Sequence, residues 1–254
     1  MKIPPLAVVV PAYNEAQRLT DNLLTLLGYL QSYRPTAELI VVDDGSTDGT
    51  AEAAQELFAR RPDVAARVLR YPENRGKGHA VRAGLLATEA PIALFSDADL
   101  STPITELEKV VEPIEAGRCD IALGSRALDR TLIGRRQPWR REQGGKVFNA
   151  LVRLTTGLPF SDTQCGFKAF RMEAARPLIE QAEIDGFGFD VELLFLARRA
   201  GLRMLEVPVR WDHYEGSKVH IVKDSLRMIS EVMSLRRRIA RTPPSSAPTA
   251  EVTR

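Results

Sequence analysis

The stretch PIALFSDADLSTP, residues 91–103, places an apolar run directly before two carboxylates, Asp97 and Asp99. The apolar run predicts a buried β-strand, and side chains two residues apart in an extended chain point to the same side. Two carboxylates on one side, where a buried strand ends, form half of a site for a hard divalent cation, Mg²⁺ or Mn²⁺. The alternative interpretation is a solvated acidic loop, and the rest of the chain favours the metal site.

Apolar runs and helical patterns alternate on both sides of this stretch. Predicted strands cover residues 6–10, 38–43, 67–71, 91–97, 120–125 and 202–209. Predicted helices cover residues 15–31, 50–61, 78–87, 104–115, 143–154, 173–181, 191–199 and 222–240. Continuous apolar strands between amphipathic helices predict an α/β fold, a Rossmann-like and mostly parallel sheet with helices on both faces. The segment DTQCGFKAF, 162–170, is mixed and turn-rich, without a predicted strand.

The composition narrows the class of protein. A chain of 254 residues with 44% hydrophobic residues can build a substantial core. A net charge of +2 gives no global field that would favour nucleic acid. The two cysteines, Cys119 and Cys165, are too few for a disulfide framework or a thiolate metal site. We expect no signal peptide, no membrane span and a disordered tail over 242–254, hence a cytoplasmic protein.

Polar residues follow five of the predicted strands. Ligands of mostly parallel sheets bind beyond the carboxyl ends of the strands, so these residues form one candidate site. They are Pro11, Tyr13, Asn14, Glu15, Asp43, Asp44, Gly45, Ser46, Arg75, Gly76, Lys77, Asp97, Asp99, Ser125 and Arg126. Turn and N-cap chemistry is the alternative, because the same residue types serve both purposes. Their coincidence at five strand ends favours a ligand site.

The motifs together resemble the family 2 glycosyltransferases of the GT-A fold. The first group of motifs is VPAYNE (10–15), VVDDGSTDGT (41–50), NRGKGHAVRAG (74–84) and SDADLSTP (96–103). The second group is GSR (124–126), DTQCGFKAF (162–170), GFGFDVELL (186–194), EVPVRW (206–211) and EGSKV (215–219). The second group is similar to the polyprenyl-phosphate branch, first the dolichyl-phosphate β-glucosyltransferases and next the mannosyltransferases. The resemblance implies one GT-A domain over 1–241, with a nucleotide-sugar half to about residue 125 and an acceptor half from 126.

The resemblance implies roles for residues of the donor half. The residues that would hold the nucleoside are Pro11, Tyr13, Glu15 and Asp43. Asp44 and Ser46 are expected to act as caps. Lys77, with Arg75 as the alternative, would contact the diphosphate beside glycines that allow close backbone approach. Asp99 would coordinate the metal directly, and Asp97 would bind it through water or contact the ribose.

The acceptor decides whether the reaction needs a base. A phosphate monoester is largely dianionic at pH 7 and attacks without losing a proton, so it needs positioning by arginine. The resemblance assigns Arg126 and Arg141 to that phosphate. A hydroxyl acceptor would instead require a general base, for which Asp162 is the first candidate, with orientation of the sugar as its other role. Gln164 could contact sugar hydroxyls.

Three later segments have open interpretations. Asp190 and Glu192 are expected to be sugar or structural ligands. EGSKV suggests a mobile loop whose Lys218 reaches the diphosphate on closure, and an ordinary turn is the alternative. The arginines at the end of the last helix could meet anionic headgroups on the inner face of a membrane, or be a solvated helix end.

The predicted function is an inverting, metal-dependent transferase that moves glucose from UDP-glucose to a polyprenyl phosphate. One alternative uses GDP-mannose, and another uses a hydroxyl acceptor. A third alternative, of a different class, is a non-catalytic nucleotide-sugar binding module. A nicotinamide dehydrogenase is disfavoured because PAYNE, and not G-x-G-x-x-G, follows the first strand.

Overall fold

The computed structural model describes residues 5–135, 137, 139–213, 227–228, 230–231 and 233–235. For residues 140–142 and 146–148 it describes the helical backbone alone. Within these ranges no helix is both long enough and apolar enough to cross a membrane. The predicted last helix over 222–240 lies mostly outside the described residues, and the predicted tail over 242–254 lies entirely outside them.

The described residues form one sheet with helices on both faces. The strands are β1 (Leu6–Ala12), β2 (Glu38–Asp44), β3 (Ala65–Tyr71), β4 (Ile92–Ser96), β5 (Ile121–Ser125), β6 (Phe167–Arg171) and β7 (Met204–Pro208). The α-helices are α1 (Ala16–Tyr33), α2 (Thr50–Ala59), α3 (Lys77–Leu86), α4 (Leu107–Glu115), α5 (Trp139–Thr156), α6 (Met172–Gln181) and α7 (Phe189–Arg199). Short 3-10 turns cover Ile104–Glu106 and Arg130–Leu132. Each predicted strand is present, as is each predicted helix up to residue 199, with bounds shifted by a few residues.

The strand order is β3-β2-β1-β4-β6-β5-β7. Strand β1 pairs in parallel with β2 on one side and with β4 on the other. The pairs β2–β3 and β5–β7 are also parallel. Strand β6 lies between β4 and β5 and is antiparallel to both. The sheet is therefore mostly parallel, as predicted, and β6 is a strand that the sequence analysis missed. One sheet joins strands from both predicted halves, and the division near residue 125 stays a prediction.

The two faces of the sheet bury two separate apolar layers. In β1, Val8 and Val10 pack into one layer with the leucines of α1, such as Leu23. Ala7 and Val9 point to the other layer, with α3 and α7. A strand covered on both faces must be apolar at every position, which explains the uninterrupted LAVVV run. This packing fixes the strand ends, and with them the loops that form the site.

Candidate active site

A cavity of about 390 Å³ lies at the carboxyl ends of β1, β2 and β4. Its polar and charged lining residues are Tyr13, Glu15, Arg18, Asp44, Asn74, Lys77, Asp97, Asp99 and Arg227. The other lining residues are Pro11, Ala12, Gly76, Ala80, Ala98, Gly186 and Phe187. The cavity thus occupies the edge of the sheet where a mostly parallel α/β fold binds its ligands.

The cavity brings together many of the residues proposed from the sequence. Those predicted for the donor and the metal that line it are Pro11, Tyr13, Glu15, Lys77, Asp97 and Asp99. Those outside its lining are Asp43, Arg75, Arg126, Asp162 and Gln164. Arg141 lies in α5, but its side chain is not described, and Lys218 lies outside the described residues. The roles of all these residues stay predictions.

Asp97 and Asp99 stand in a turn that follows β4. The Asp97 amide donates to the Gly166 carbonyl at 3.0 Å, and the Leu100 amide donates to the Asp97 carbonyl at 3.1 Å. Leu100 has a φ of 48°, a left-handed conformation that L residues rarely adopt. A Cβ added at Gly166 would overlap the Asp97 carboxylate. The backbone of the DTQCG segment therefore packs directly against one of the two carboxylates.

The acidic pair attracts a cation. Burial and, after it, the negative charge of Asp97 raise the pKa of Asp99 above its ordinary value. Lys77 Nζ lies 2.5 Å from Asp97 Oδ1. Burial alone would lower the pKa of Lys77, but the charges of Asp97 and Asp190 outweigh it, so the pKa is raised. The lysine thus partly neutralises the pair, while Asp99 keeps an unfavourable charge that a second cation would relieve.

The chemistry of the pair fits a hard divalent cation. Carboxylate oxygens are the ligands that Mg²⁺ prefers, and two repelling carboxylates gain from sharing one cation. Within the described ranges, no three His, Cys, Asp or Glu side chains are grouped so that they could hold a metal. A metal held by Asp97 and Asp99 would take its remaining ligands from water and phosphate oxygens, as Mg²⁺ commonly does.

Asp44 organises the loop that leads into α3. Its carboxylate accepts hydrogen bonds from the amides of Arg75 at 3.1 Å and Gly76 at 2.7 Å, and from Asn74 Nδ2 at 3.0 Å. Gly76 has a φ of 116°, and a Cβ there would overlap the Asp185 carbonyl, so the position requires glycine. The capping role expected for Asp44 agrees with these bonds. The loop presents the N-terminus of α3, a favourable place for an anion, to the cavity.

Asp43 is completely buried beside this loop. Its Oδ1 accepts a hydrogen bond from the Ser46 amide at 3.2 Å, and Arg70 Nε lies 3.5 Å from Oδ2. Oδ2 accepts no hydrogen bond within the described residues. Ser46 Oγ in turn accepts from the Asn14 amide at 2.8 Å. Asp43 thus ties the β2 loop together, and its contact with a nucleoside stays a prediction.

Several lining residues were missed from the sequence. Arg18, in the first turn of α1, pairs with Glu15, the residue just before the helix, with Nη2 2.7 Å from Oε1. Their spacing of three residues is the signal that could have identified Arg18. Gly186 and Phe187 stand before α7, and Arg227 comes from a segment far along the chain. No local pattern links these last three to the strand ends, because tertiary packing alone brings them there.

Arg126 and Asp162 form a bidentate ion pair outside the lining of the cavity. Arg126 Nε lies 2.6 Å from Asp162 Oδ2, and Nη2 lies 2.8 Å from Oδ1. The Arg126 amide adds a third hydrogen bond at 3.0 Å. The guanidinium also lies 5.5 Å from the centre of the Trp211 ring. The GSR motif at the end of β5 and the DTQCG segment before β6 are therefore held together.

This pairing bears on the predicted role of Asp162 as a base. Burial alone would raise the pKa of Asp162, but the charge and hydrogen bonds of Arg126 lower it below the ordinary value. A carboxylate with a lowered pKa and two guanidinium bonds is a poor proton acceptor, so the geometry favours a positioning role. The Gln164 backbone N–H donates a hydrogen bond to Asp162 Oδ1 at 3.1 Å, and the buried side-chain Nε2 of Gln164 has no hydrogen-bond partner within the described residues.

A buried ion pair joins β6 to α7 next to the DTQCG segment. Lys168 is the second residue of β6, and its Nζ lies 2.6 Å from Asp190 Oδ1 and 2.6 Å from the Cys165 carbonyl oxygen. Both charged side chains are almost fully buried. Glu192 accepts from the amides of Glu183 at 3.0 Å and Ile184 at 2.7 Å. Asp190 and Glu192 therefore have the structural role that was one of the two expectations for them.

Comparisons with known proteins agree with this arrangement. The model of the family "Glycosyl transferase family 2" matches residues 7–178. The chain is 33% identical over 241 residues to the dolichyl-phosphate beta-glucosyltransferase of Dictyostelium discoideum, covering 91% of this chain and 73% of that protein. It is 40% identical over 227 residues to the dolichyl-phosphate beta-glucosyltransferase of Drosophila melanogaster, covering 84% of this chain and 69% of that protein.

A solved structure shows the same fold. The glucosyl-3-phosphoglycerate synthase of Mycobacterium tuberculosis, in complex with Mn²⁺, uridine diphosphate and glucosyl-3-phosphoglycerate, matches with a TM-score of 0.66. The match has 22% sequence identity and covers 95% of this chain and 82% of that one. The sheet order and this match show the GT-A fold. The chain belongs to glycosyltransferase family 2, which confirms the resemblance seen in its motifs.

Proposed function

We propose that this glycosyltransferase is metal-dependent and inverting, and that it moves glucose from UDP-glucose to a polyprenyl or dolichyl phosphate. The observation that carries the proposal is one cavity in which Asp97, Asp99 and Lys77 meet at the N-terminus of α3. The two relatives named dolichyl-phosphate beta-glucosyltransferase support the sugar and the acceptor. The solved structure with Mn²⁺ and uridine diphosphate supports the metal and the nucleotide.

The donor would lie across the cavity. Pro11, Tyr13 and Glu15 would hold the nucleoside, and the diphosphate would meet Lys77 and the positive end of α3. Asp97 and Asp99 would hold Mg²⁺ or Mn²⁺. When bound, that metal offsets the negative charge that develops on the departing nucleoside diphosphate.

The acceptor phosphate would attack the sugar carbon directly. A phosphate oxygen forms the new bond to C1, and the bond from C1 to the diphosphate oxygen breaks with its electron pair leaving on UDP. Because a phosphate monoester is largely dianionic at pH 7, no proton needs to be removed. Arg126 and Arg141 would hold the acceptor, and the pairing of Asp162 with Arg126 fits a reaction without a general base. One displacement inverts the configuration at C1.

Because the proposed acceptor is a lipid, the transfer reaction would take place at a membrane surface. We propose peripheral association with the face of the membrane where nucleotide sugars are present. Flotation with vesicles that contain polyprenyl phosphate measures this directly, and vesicles without the phosphorylated lipid are the control. Recovery of the protein only in the bottom fraction with both vesicle types would contradict the proposal.

Transfer of labelled sugar tests the function. The protein is incubated with Mn²⁺ and labelled UDP-glucose, in parallel with labelled GDP-mannose, and with a polyprenyl phosphate or the matching unphosphorylated polyprenol. We expect label in the lipid fraction only with UDP-glucose and the phosphorylated lipid. Incorporation of label from GDP-mannose alone would identify GDP-mannose as the donor. Incorporation of label into the polyprenol would identify a hydroxyl group as the acceptor. No label in any lipid fraction would refute transfer to a polyprenyl lipid.

A further inference from the structure

The described part of the C-terminal segment, residues 227–228, 230–231 and 233–235, is helical and packs on the domain. Met228 is 9% exposed and belongs to the apolar layer that contains α3 and α7. Leu235 is 3% exposed. Seven positions separate these side chains, so they lie on one face of a helix and anchor it at two points. The segment is therefore part of the folded domain near the cavity.

Glu231 fixes this segment to the loop before α7. Its Oε2 accepts a hydrogen bond from the Gly188 amide at 3.1 Å. A Cβ at Gly186 would lie 2.5 Å from Glu231 Oε1, and a Cβ at Gly188 would lie 2.7 Å from Oε2. Both positions therefore suit glycine because the Glu231 carboxylate occupies the space where a side chain would stand. Gly186 itself lines the cavity, so the contact joins the segment to the cavity wall.

Glu231 also holds Arg227. Arg227 Nε donates to Glu231 Oε1 at 3.0 Å, across one turn of helix. The Arg227 side chain is 65% exposed and lines the cavity. The bond through Nε aligns the guanidinium, and Nη1 and Nη2 form no hydrogen bond with the residues that the structure describes.

All three cations of the described lining are paired with a carboxylate, but Arg227 uses Nε alone, whereas Arg18 donates to Glu15 through both Nε and Nη2. Arg18 is paired with Glu15, and Lys77 with Asp97. An incoming diphosphate brings negative charge into a cavity that already contains four carboxylates, so it gains most from a cation with donors to spare. Arg227 meets that need better than the other two.

Resting on the proposed function, we propose that Arg227 binds the diphosphate of the donor and that Glu231 positions it. The C-terminal segment then contributes to donor affinity, although it lies far along the chain from the donor motifs. Glu231 acts through Arg227 and the glycine loop, and so is a positioning residue.

Binding of UDP with Mn²⁺, measured by calorimetry on the full chain, tests the inference. We expect R227M to weaken UDP binding on the order of tenfold, because the variant loses a hydrogen bond between charged groups. Binding of uridine, which lacks phosphate, should be unchanged. R227K should recover part of the UDP affinity, and E231Q should lose less than R227M. The matched control is R60M, because Arg60 forms the same kind of exposed pair four residues from Glu56.

The outcomes separate the inference from the proposed function. Wild-type protein that binds neither UDP nor GDP would overturn both. Wild-type protein that binds UDP, with R227M binding it as tightly as R60M does, would overturn the role of Arg227 alone. Equal weakening of UDP and uridine binding by R227M would also overturn it, because that result indicates loss of the cavity shape and not of a phosphate contact.

Discussion

Lys77 Nζ lies 2.5 Å from Asp97 Oδ1, so a lysine already occupies the carboxylate that we propose as a metal ligand. The contact joins the first residue of α3 to the turn after β4. In the absence of a ligand the ammonium group reduces the repulsion between the two carboxylates. A divalent cation must therefore compete with Lys77 for Asp97, and the lysine becomes available to a diphosphate when the cation binds.

Replacing Lys77 by Met should strengthen the binding of Mn²⁺ alone and weaken the binding of UDP. A partly buried ion pair is worth up to about 1 kcal/mol, so the affinity for Mn²⁺ should rise about two- to fivefold. Calorimetry with Mn²⁺ in the absence of nucleotide measures the first effect, and titration of UDP at saturating Mn²⁺ measures the second. Unchanged or weaker Mn²⁺ binding would contradict the competition.

Replacing Asp99 by Asn should abolish most turnover while the fold is kept. Removing a group that stabilises developing charge costs on the order of 100- to 1,000-fold in rate. The fold should survive because the pKa of Asp99 is raised by burial and by Asp97, so its charge is unfavourable to the protein without ligand. Turnover equal to wild type would contradict the metal role.

The same raised pKa gives the Asn variant a distinct pH profile. The folded protein holds the Asp99 proton more tightly than the unfolded chain does. Wild-type stability should therefore fall relative to the variant as the pH rises from the ordinary value of 3.8 through the raised folded-state pKa. Thermal melting of both proteins across that range checks the sign. A gap between their melting temperatures that does not change with pH would be the contrary result.

Replacing Asp162 by Asn should destabilise the protein and impair the acceptor step. Loss of one partner from a buried pair costs about 3 to 5 kcal/mol, and the partial exposure of Arg126 should reduce this to roughly 2 to 3 kcal/mol. Urea denaturation measures the loss, and the R126M/D162N double variant shows whether the two side chains act as a pair. A variant with wild-type stability, intact UDP binding and no turnover would instead indicate a general base.

Replacing Gly166 by Ala should disturb Asp97 selectively. The new methyl group would overlap the Asp97 carboxylate, so either that side chain or the DTQCG backbone must move. We expect weaker Mn²⁺ binding and a large loss of turnover. Gly28→Ala is the matched control, since a Cβ there meets nothing within 4 Å and a helical Gly→Ala change should add about 0.5 to 1 kcal/mol of stability. A G166A protein with wild-type Mn²⁺ affinity would argue against the contact.

The sequence predicted the parts of the fold that follow local rules. The runs around Val9 and Leu94 are apolar at every position because both faces of the sheet are covered, and this pattern identified the parallel strands. Strand β6 was missed because Lys168 interrupts its apolar run. A buried lysine is acceptable there only because Asp190, 22 residues later, pairs with it, and that contact is tertiary.

In the candidate site, the residues that follow a strand were predictable from the sequence, and those brought in by tertiary packing were not. Asp97 and Asp99 follow directly from their position after a strand. Arg18 was missed although its spacing from Glu15 was a local signal, whereas Arg227 was missed because its place in the cavity depends on tertiary packing. Arg126 pairs with Asp162, although the sequence analysis gave these two residues separate roles. The pairing was missed because the sequence does not show how close two residues that are 36 positions apart lie in the fold.

The reversed direction of β6 places its two flanking segments at opposite edges of the sheet, so that insertions there would have different consequences. Its first residue, Phe167, lies at the edge of the sheet that carries the cavity, and its last residue, Arg171, lies at the opposite edge. An insertion before Phe167 would displace Gly166 from its contact with Asp97, whereas an insertion after Arg171 would separate β6 from α6, which begins at the next residue, the buried Met172. The first insertion would therefore cost activity, and the second would cost stability.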